Sequence, residues 1–163
     1  MELRELFDEN NLPTGEVVGR GKEPEGRYYR ISGVFVLDER KRLLATRRAK
    51  EKASYPLWWE FTCGGHLVGE DPEDAARREL SEEVGLAPES LRFLGSLKEW
   101  DKFSYLYLTE VRDATLSFQE EEVCDATWLS LSDLEEKLEE EFFAPPMKRR
   151  IEAMWDVLSE AMR

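Results

Sequence analysis

An α/β sandwich built on a mixed sheet, rather than a parallel doubly wound fold, follows from three features of the chain. Six short segments rich in aromatic and β-branched residues are interleaved with only three helical ones. A length of 163 residues suits one core and leaves little for a second, so a single domain over residues 1–163 is expected. Hydrophobic residues at 41% and aromatics at 11% can fill that core despite 36% charged residues, which excludes disorder of the whole chain.

The elements can be justified in chain order. Residues 10–26 are turn-rich and hold at most one short strand, around Val17–Val18. Tyr28–Leu37 reads as a buried strand and Arg42–Arg47 as its partner, joined by a turn at Asp38–Lys41. Trp58–Thr62 is a third short strand, and Leu91–Trp100, Phe103–Thr109 and Val123–Leu129 complete the set. Asp71–Val84 has the marks of a helix: Asp71 as N-cap, Pro72 in the first turn, acidic residues after it and a stop at Gly85. Ser132–Glu141 offers a capping box of Ser132 with Glu135. A last helix after Pro145–Pro146 runs to about Ala161, with Ile151, Met154, Trp155 and Leu158 on one face.

Charge and composition exclude several function classes. Lys and Arg number 23 against 36 Asp and Glu, a net charge of −13, which argues against a nucleic-acid coat or a membrane-surface protein. A phosphate-bearing small molecule remains open, because a local basic pocket can sit within an acidic surface. No stretch is long and apolar enough to span a membrane, and the acidic start is unlike a signal peptide. Cys63 and Cys124 make neither a CxxC nor a disulfide framework, so a reducing, cytoplasmic setting is expected. With His66 as the single histidine, mechanisms that need several imidazoles are excluded.

The chemistry concentrates in residues 64–86, GGHLVGEDPEDAARRELSEEVGL. On the helix above, Glu79, Glu82 and Glu83 stand at i, i+3 and i+4, so three carboxylates share one narrow face. Like charges that close repel, and a hard divalent cation such as Mg²⁺ or Mn²⁺ would compensate them. Arg78 lies one turn from Glu82 and can pair with Glu70, while glycines before the helix let backbone carbonyls approach the same ion. An acidic chain also produces idle Glu-rich faces by chance, so three glutamates alone would carry little.

The whole segment is more specific. It resembles the signature of the Nudix hydrolase family, Gx5Ex7REUxEExGU with U a bulky aliphatic: Gly64, Glu70, Arg78, Glu79, Leu80, Glu82, Glu83, Gly85 and Leu86 occupy every fixed position. The resemblance implies an α/β/α sandwich with a mixed, partly antiparallel sheet and Mg²⁺-dependent attack of water on a diphosphate. By the same resemblance Glu79, Glu82 and Glu83 are metal ligands or general base, the Gly64 carbonyl is a further ligand, and Arg78 is their orienting partner. Glu120, Glu121 and Glu122 are outside candidates for base or extra ligand.

Similarity extends over roughly residues 3–140 to the isopentenyl diphosphate isomerase-like branch of that family. The stretch RRAKEKASYP is close to that branch's diphosphate-binding segment, which makes Arg48 and Lys52 phosphate contacts. The isomerase's metal site, however, is built mainly of histidines, and the matching YYRIS has none. Nor does FSYLY carry its strand Glu pair. The REUxEE core is whole here, which favours a diphosphohydrolase of a small organic diphosphate. Isomerase, or a non-catalytic metabolite-sensing module, are the alternatives. Cys63 matches the isomerase's cysteine, although a lone cysteine is more often packing. His66, beside the Gly64–Gly65 turn, is a candidate phosphate contact, although a lone histidine in a turn is more often an exposed bystander. Tyr55, Trp58, Trp100 and Phe103 could line the site or the core, and Phe142–Pro146 could lid it or link two helices. Homodimerisation is common in the family, but no residue here specifies an interface.

Overall fold

A computed structural model describes residues 2–163. Nine strands and four helices alternate along the described chain: β1 (Leu3–Phe7), β2 (Pro13–Gly19), β3 (Tyr29–Leu37), β4 (Leu43–Arg48), β5 (Trp59–Glu60), β6 (Thr62–Gly65), α1 (Pro72–Val84), β7 (Arg92–Lys98), β8 (Lys102–Glu110), β9 (Val123–Leu129), α2 (Leu131–Leu138), α3 (Pro145–Ala153) and α4 (Trp155–Ala161). The central sheet runs β5-β4-β3-β8-β7, with β6 added to β3 and β9 to β4. Only β3 and β8 pair in parallel; the other pairs are antiparallel, so the sheet is mixed as expected.

Strand β3 separates the two layers of core, because alternate residues face opposite sides. Val34 and Val36 meet Ala76, Leu80 and Val84 of α1. Phe35 and Leu37 pack with Leu134 of α2, Met147 and Ile151 of α3, and Leu158 of α4. That is the α/β/α sandwich. No described helix is long and apolar enough to cross a membrane.

The structure corrects four of the expected elements. Residues 3–19 form a full hairpin, β1 with β2, whereas no strand was expected before residue 10 and at most one short strand, around Val17–Val18, in residues 10–26. It is secured by tertiary docking: Leu6 and Phe7 are buried, and Phe7 and Tyr28 exchange backbone hydrogen bonds of 2.8 and 2.9 Å. Trp58–Thr62 divides at buried Phe61, with β5 pairing to β4 and β6 to β3. Helix α2 starts earlier than expected: its box is Ser130 with Asp133, each side chain accepting from the other's backbone N–H at 3.2 Å. This start keeps Leu134 in the core. The C-terminal helix is two helices, interrupted at Met154 (φ −102°, ψ 13°), whose N–H is shared between the Arg150 and Ile151 carbonyls. The break leaves Met154 and Trp155 half-buried while Ile151 and Leu158 are fully covered.

Candidate active site

Helix α1 has the ends its sequence implies. The Asp71 side chain accepts from the Glu73 N–H at 3.2 Å, Pro72 opens the first turn, and Gly85 closes the helix at φ 73° with its N–H on the Leu80 and Ser81 carbonyls. Ala75, Ala76, Leu80 and Val84 are buried, and this fixes the rotation that turns Glu79, Glu82 and Glu83 toward a cavity of about 370 Å³. Gly64 and Gly65 on β6 form the adjoining wall, with Arg48, Lys52 and Glu122 also lining the space.

Arg78 organises the acidic wall. Its Nε and one Nη2 proton donate to the two oxygens of Glu70 at 2.9 and 3.0 Å, and Nη1 donates to Glu79 at 2.9 Å and Glu82 at 3.1 Å. Nη2 also reaches the Gly65 carbonyl at 2.8 Å. The expected Arg78–Glu70 pair therefore forms, and the hydrogen bonds to Glu70, outweighing burial, keep the guanidinium firmly charged. Burial pushes Glu70 up, but Arg78 and the Leu67 N–H together carry its carboxyl below the usual range. Glu79 is shifted up: burial leads, Arg78 opposes it, and Glu82 adds to it. Glu83 is pushed well above the ordinary value by burial and then by Glu60, Glu79 and Glu122, and its Oε2 is buried without a partner.

The same cavity also has basic groups, though each has a carboxylate beside it. Arg48 Nη1 donates to buried Glu60 at 3.0 Å, while its Nε and Nη2 bond the carbonyl and hydroxyl of Ser54 at 2.9 and 3.2 Å. Lys52 donates to Glu122. Of the three outside candidates only Glu122 lines the cavity; Glu120 and Glu121 are exposed.

His66 departs from expectation. It is buried, its Nε2 lies 2.8 Å from the Ser32 Oγ, and that hydroxyl donates to the Pro72 carbonyl at 2.7 Å. With the Ser32 proton committed to Pro72, the imidazole is the donor to Ser32. Burial lowers its pKa to about 4, so it is neutral. It does not line the cavity, which corrects the substrate contact assigned to it; it ties β3 to the start of α1 instead. Cys63 lines the cavity with its thiol pushed up by burial.

A second cavity, about 180 Å³, adjoins the first and shares Arg48, Cys63 and Gly64 with it. Tyr55, Ala144, Pro146 and Met147 line it, so one of the four aromatic candidates and part of the Phe142–Pro146 stretch reach the site. Trp100 is 94% exposed and Phe103 is core. Sequence reasoning missed Arg4 and Arg20, which the β1–β2 hairpin brings to both cavities, and Glu60 and Arg150 deeper in the second. LRELF shows no apolar/polar alternation and buries only Leu6 and Phe7, so no local pattern marked the hairpin.

The residues fit a divalent cation in chemistry. The donors are hard oxygens, Glu83 has an orphaned buried oxygen, and a Cβ on Gly64 would fill the space where the Glu79 carboxylate lies. Among the described residues no three acidic, histidine or cysteine side chains stand ready in a ligating cluster, and Arg78 holds two of the three carboxylates.

Fold, signature and cavity agree with a wider comparison. The NUDIX domain matches residues 27–151, and the chain belongs to that family of Nudix proteins. It is 33% identical over 154 residues to the isopentenyl-diphosphate delta-isomerase of Streptomyces coelicolor, covering 87% of this chain and 78% of that one. To an uncharacterized Nudix hydrolase of Listeria monocytogenes it is 30% identical over 141 residues, covering 83% of each. A crystal structure from Deinococcus radiodurans superposes with a TM-score of 0.78 at 21% identity, over 99% of this chain and 100% of the other.

Proposed function

We propose that this chain is a Mg²⁺-dependent (or Mn²⁺-dependent) diphosphohydrolase acting on a small organic diphosphate. The observation that carries the reading is the lining of one cavity by both sets of groups, Glu79, Glu82 and Glu83 of α1 together with Arg48 and Lys52. A divalent ion, when bound, supplies neutralisation of charge on phosphate oxygens and acidifies water. The Gly64 carbonyl, Glu79, Glu82 and Glu83 would hold it, and one of these glutamates takes the proton from the attacking water. Arg78 orients Glu79 and Glu82 through its two Nη1 bonds. Arg48 offers a fork and Lys52 a point charge to the diphosphate. Water attacks one phosphorus, the bridging P–O bond breaks, and two phosphate products leave.

Two observations weigh against isomerisation. The lone histidine is neutral and locked to Ser32, and no second imidazole exists to build a histidine metal site. The test is incubation with Mg²⁺ and a panel of nucleoside diphosphates and triphosphates, nucleotide sugars, dinucleotides and isopentenyl diphosphate, with products weighed by mass spectrometry. Cleavage of one class, lost in Glu82→Gln and Glu83→Gln, is the expected result. A product of unchanged mass but altered retention would establish the isomerase instead. Ligand binding without turnover anywhere would favour a sensing module.

A further inference from the structure

Two side-chain atoms of ionisable groups among the described residues are buried without a hydrogen-bond partner, and they have opposite character. Glu83 Oε2 is an acceptor without a donor or cation beside it; Arg4 Nε is a donor without an acceptor, although Arg4 is ion-paired to Glu23 through Nη1. Both residues line the same cavity. Leaving a buried polar atom unsatisfied is costly, and a ligand carrying both a cation and oxygen acceptors would fit the pair. A metal–diphosphate complex has that composition.

Arg4 is built to stay where it is. Its side chain is 12% exposed, its guanidinium lies 3.7 Å over the Tyr29 ring, and Nη1 donates to Glu23 at 2.6 Å. Stacking and ion pair fix the plane of the fork; Nε is buried without a partner, and among the described residues Nη2 makes no protein hydrogen bond and is not buried with it, which leaves Nη2 as the donor for a ligand in the cavity. Arg20, one residue beyond the end of β2, lines both cavities as Arg4 does and pairs with Glu2 at 3.0 Å. Both arginines come from the hairpin that precedes the matched region beginning at residue 27, so the shared domain does not itself supply them.

We propose that Arg4, assisted by Arg20, binds the outer phosphate of the substrate, so that the β1–β2 hairpin selects diphosphates with a free terminal phosphate over those substituted at both ends. The inference rests on the diphosphate reading of the same cavity. A terminal phosphate carries more charge and one more free oxygen than an internal one, and Arg4, Arg20, Arg48 and Lys52 together offer the donors for it. Substitution at both ends removes that oxygen from the Arg4 fork.

The experiment is calorimetric binding of methylenediphosphonate with Mg²⁺, an uncleavable diphosphate, to wild type, Arg4→Gln, Arg20→Gln and Glu16→Gln. Glu16 pairs with Arg27 on the hairpin without lining either cavity, and serves as the control. Loss of a charge-assisted bond in Arg4→Gln should weaken binding about tenfold to a hundredfold. Arg20→Gln should weaken it less, and Glu16→Gln should not change it. A symmetric dinucleoside diphosphate should bind wild type more weakly than methylenediphosphonate, and that preference should shrink in Arg4→Gln. Wild-type affinity in both arginine variants would overturn the inference, as would failure of wild type to bind the probe. Because binding is read without turnover, a protein that binds through Arg4 but cleaves nothing would refute the hydrolase reading alone.

Discussion

Gly64→Ala isolates the geometry of the acidic wall from its chemistry, since no ionisable group is added or removed. Gly64 lies in extended β6, so alanine brings no backbone strain. Its Cβ, however, would stand 2.0 Å from the Glu79 Cδ and 2.3 Å from each carboxylate oxygen. Ordinary contact begins at 3.4 Å, so the carboxylate must retreat by about 1.4 Å at Cδ and about 1.1 Å at each oxygen. Glu79 is a flexible side chain and can move, but Arg78 Nη1 holds it at 2.9 Å, and that bond lengthens or breaks. Losing it should cost about 1–2 kcal/mol of stability, since a surrounding ion pair partly reorganises. In a chain of this size each kcal/mol lowers the melting temperature by about 2–4 °C. Activity should suffer far more, because a displacement of about 1 Å in a positioning group can cost about a hundredfold in rate. The assay is kcat/KM on the cleaved substrate beside a thermal melt, with Glu79→Asp added to Gly64→Ala as a shorter acid that relieves the overlap. Partial recovery in the double variant is expected. A Gly64→Ala protein with kcat/KM within about threefold of wild type would refute the reasoning, for Glu79 would then have no need of its place against Gly64.

Three further outcomes follow from the same packing. Glu83→Gln replaces a buried carboxyl that has a partnerless oxygen and stands near Glu60, Glu79 and Glu122, so the metal-free protein should gain about 1 kcal/mol while Mg²⁺ ceases to raise its melting temperature. A melt with and without Mg²⁺ reads both effects. Arg48→Ala strands Glu60, which is 4% exposed, and should destabilise by about 3–5 kcal/mol. Adding Glu60→Gln should return much of that loss without restoring substrate affinity, as denaturant titration and KM would show. Asp38 bears on pH: against burial, the Arg42 and Arg40 N–H groups and the Arg42 guanidinium hold its carboxyl below the usual range. A depressed folded-state pKa stabilises above the unfolded value of about 3.9 and is lost as pH falls through the folded one, so Asp38→Asn should melt lower at neutral pH and converge with wild type in stronger acid.

What was legible in the sequence was what local rules decide. Asp71, Pro72 and Gly85 fix α1 by chemistry confined to their own neighbours, and the residues between them set which face carries the glutamates. The β1–β2 hairpin was not legible because its acidic, turn-rich residues gain stability from contacts made elsewhere, Phe7 with Tyr28 and Arg4 with Tyr29. With it went Arg4 and Arg20. His66 was misread for a related reason: its partner Ser32 is 34 positions away, and nothing local distinguishes an exposed histidine from one tied to another strand. In α2 an aspartate at the third helical position does the reaching back that a glutamate was expected to do.

The bonding of Arg78 also ranks the three glutamates. A guanidinium has five N–H donors, and Arg78 directs them to five acceptors: both oxygens of Glu70, one each of Glu79 and Glu82, and the Gly65 carbonyl. It has none left for Glu83. Glu79 and Glu82 therefore have an internal counterion before any ligand arrives, whereas Glu83 has only like charges nearest it and an empty acceptor. The gain on binding a cation is then greatest at Glu83, and the loss on its neutralisation should exceed that at Glu82, which is 51% exposed and already paired. Comparing the Mg²⁺-induced rise in melting temperature of Glu82→Gln and Glu83→Gln tests that order: a rise lost equally in both would mean that Arg78 releases its acids as readily as Glu83 lacks a partner.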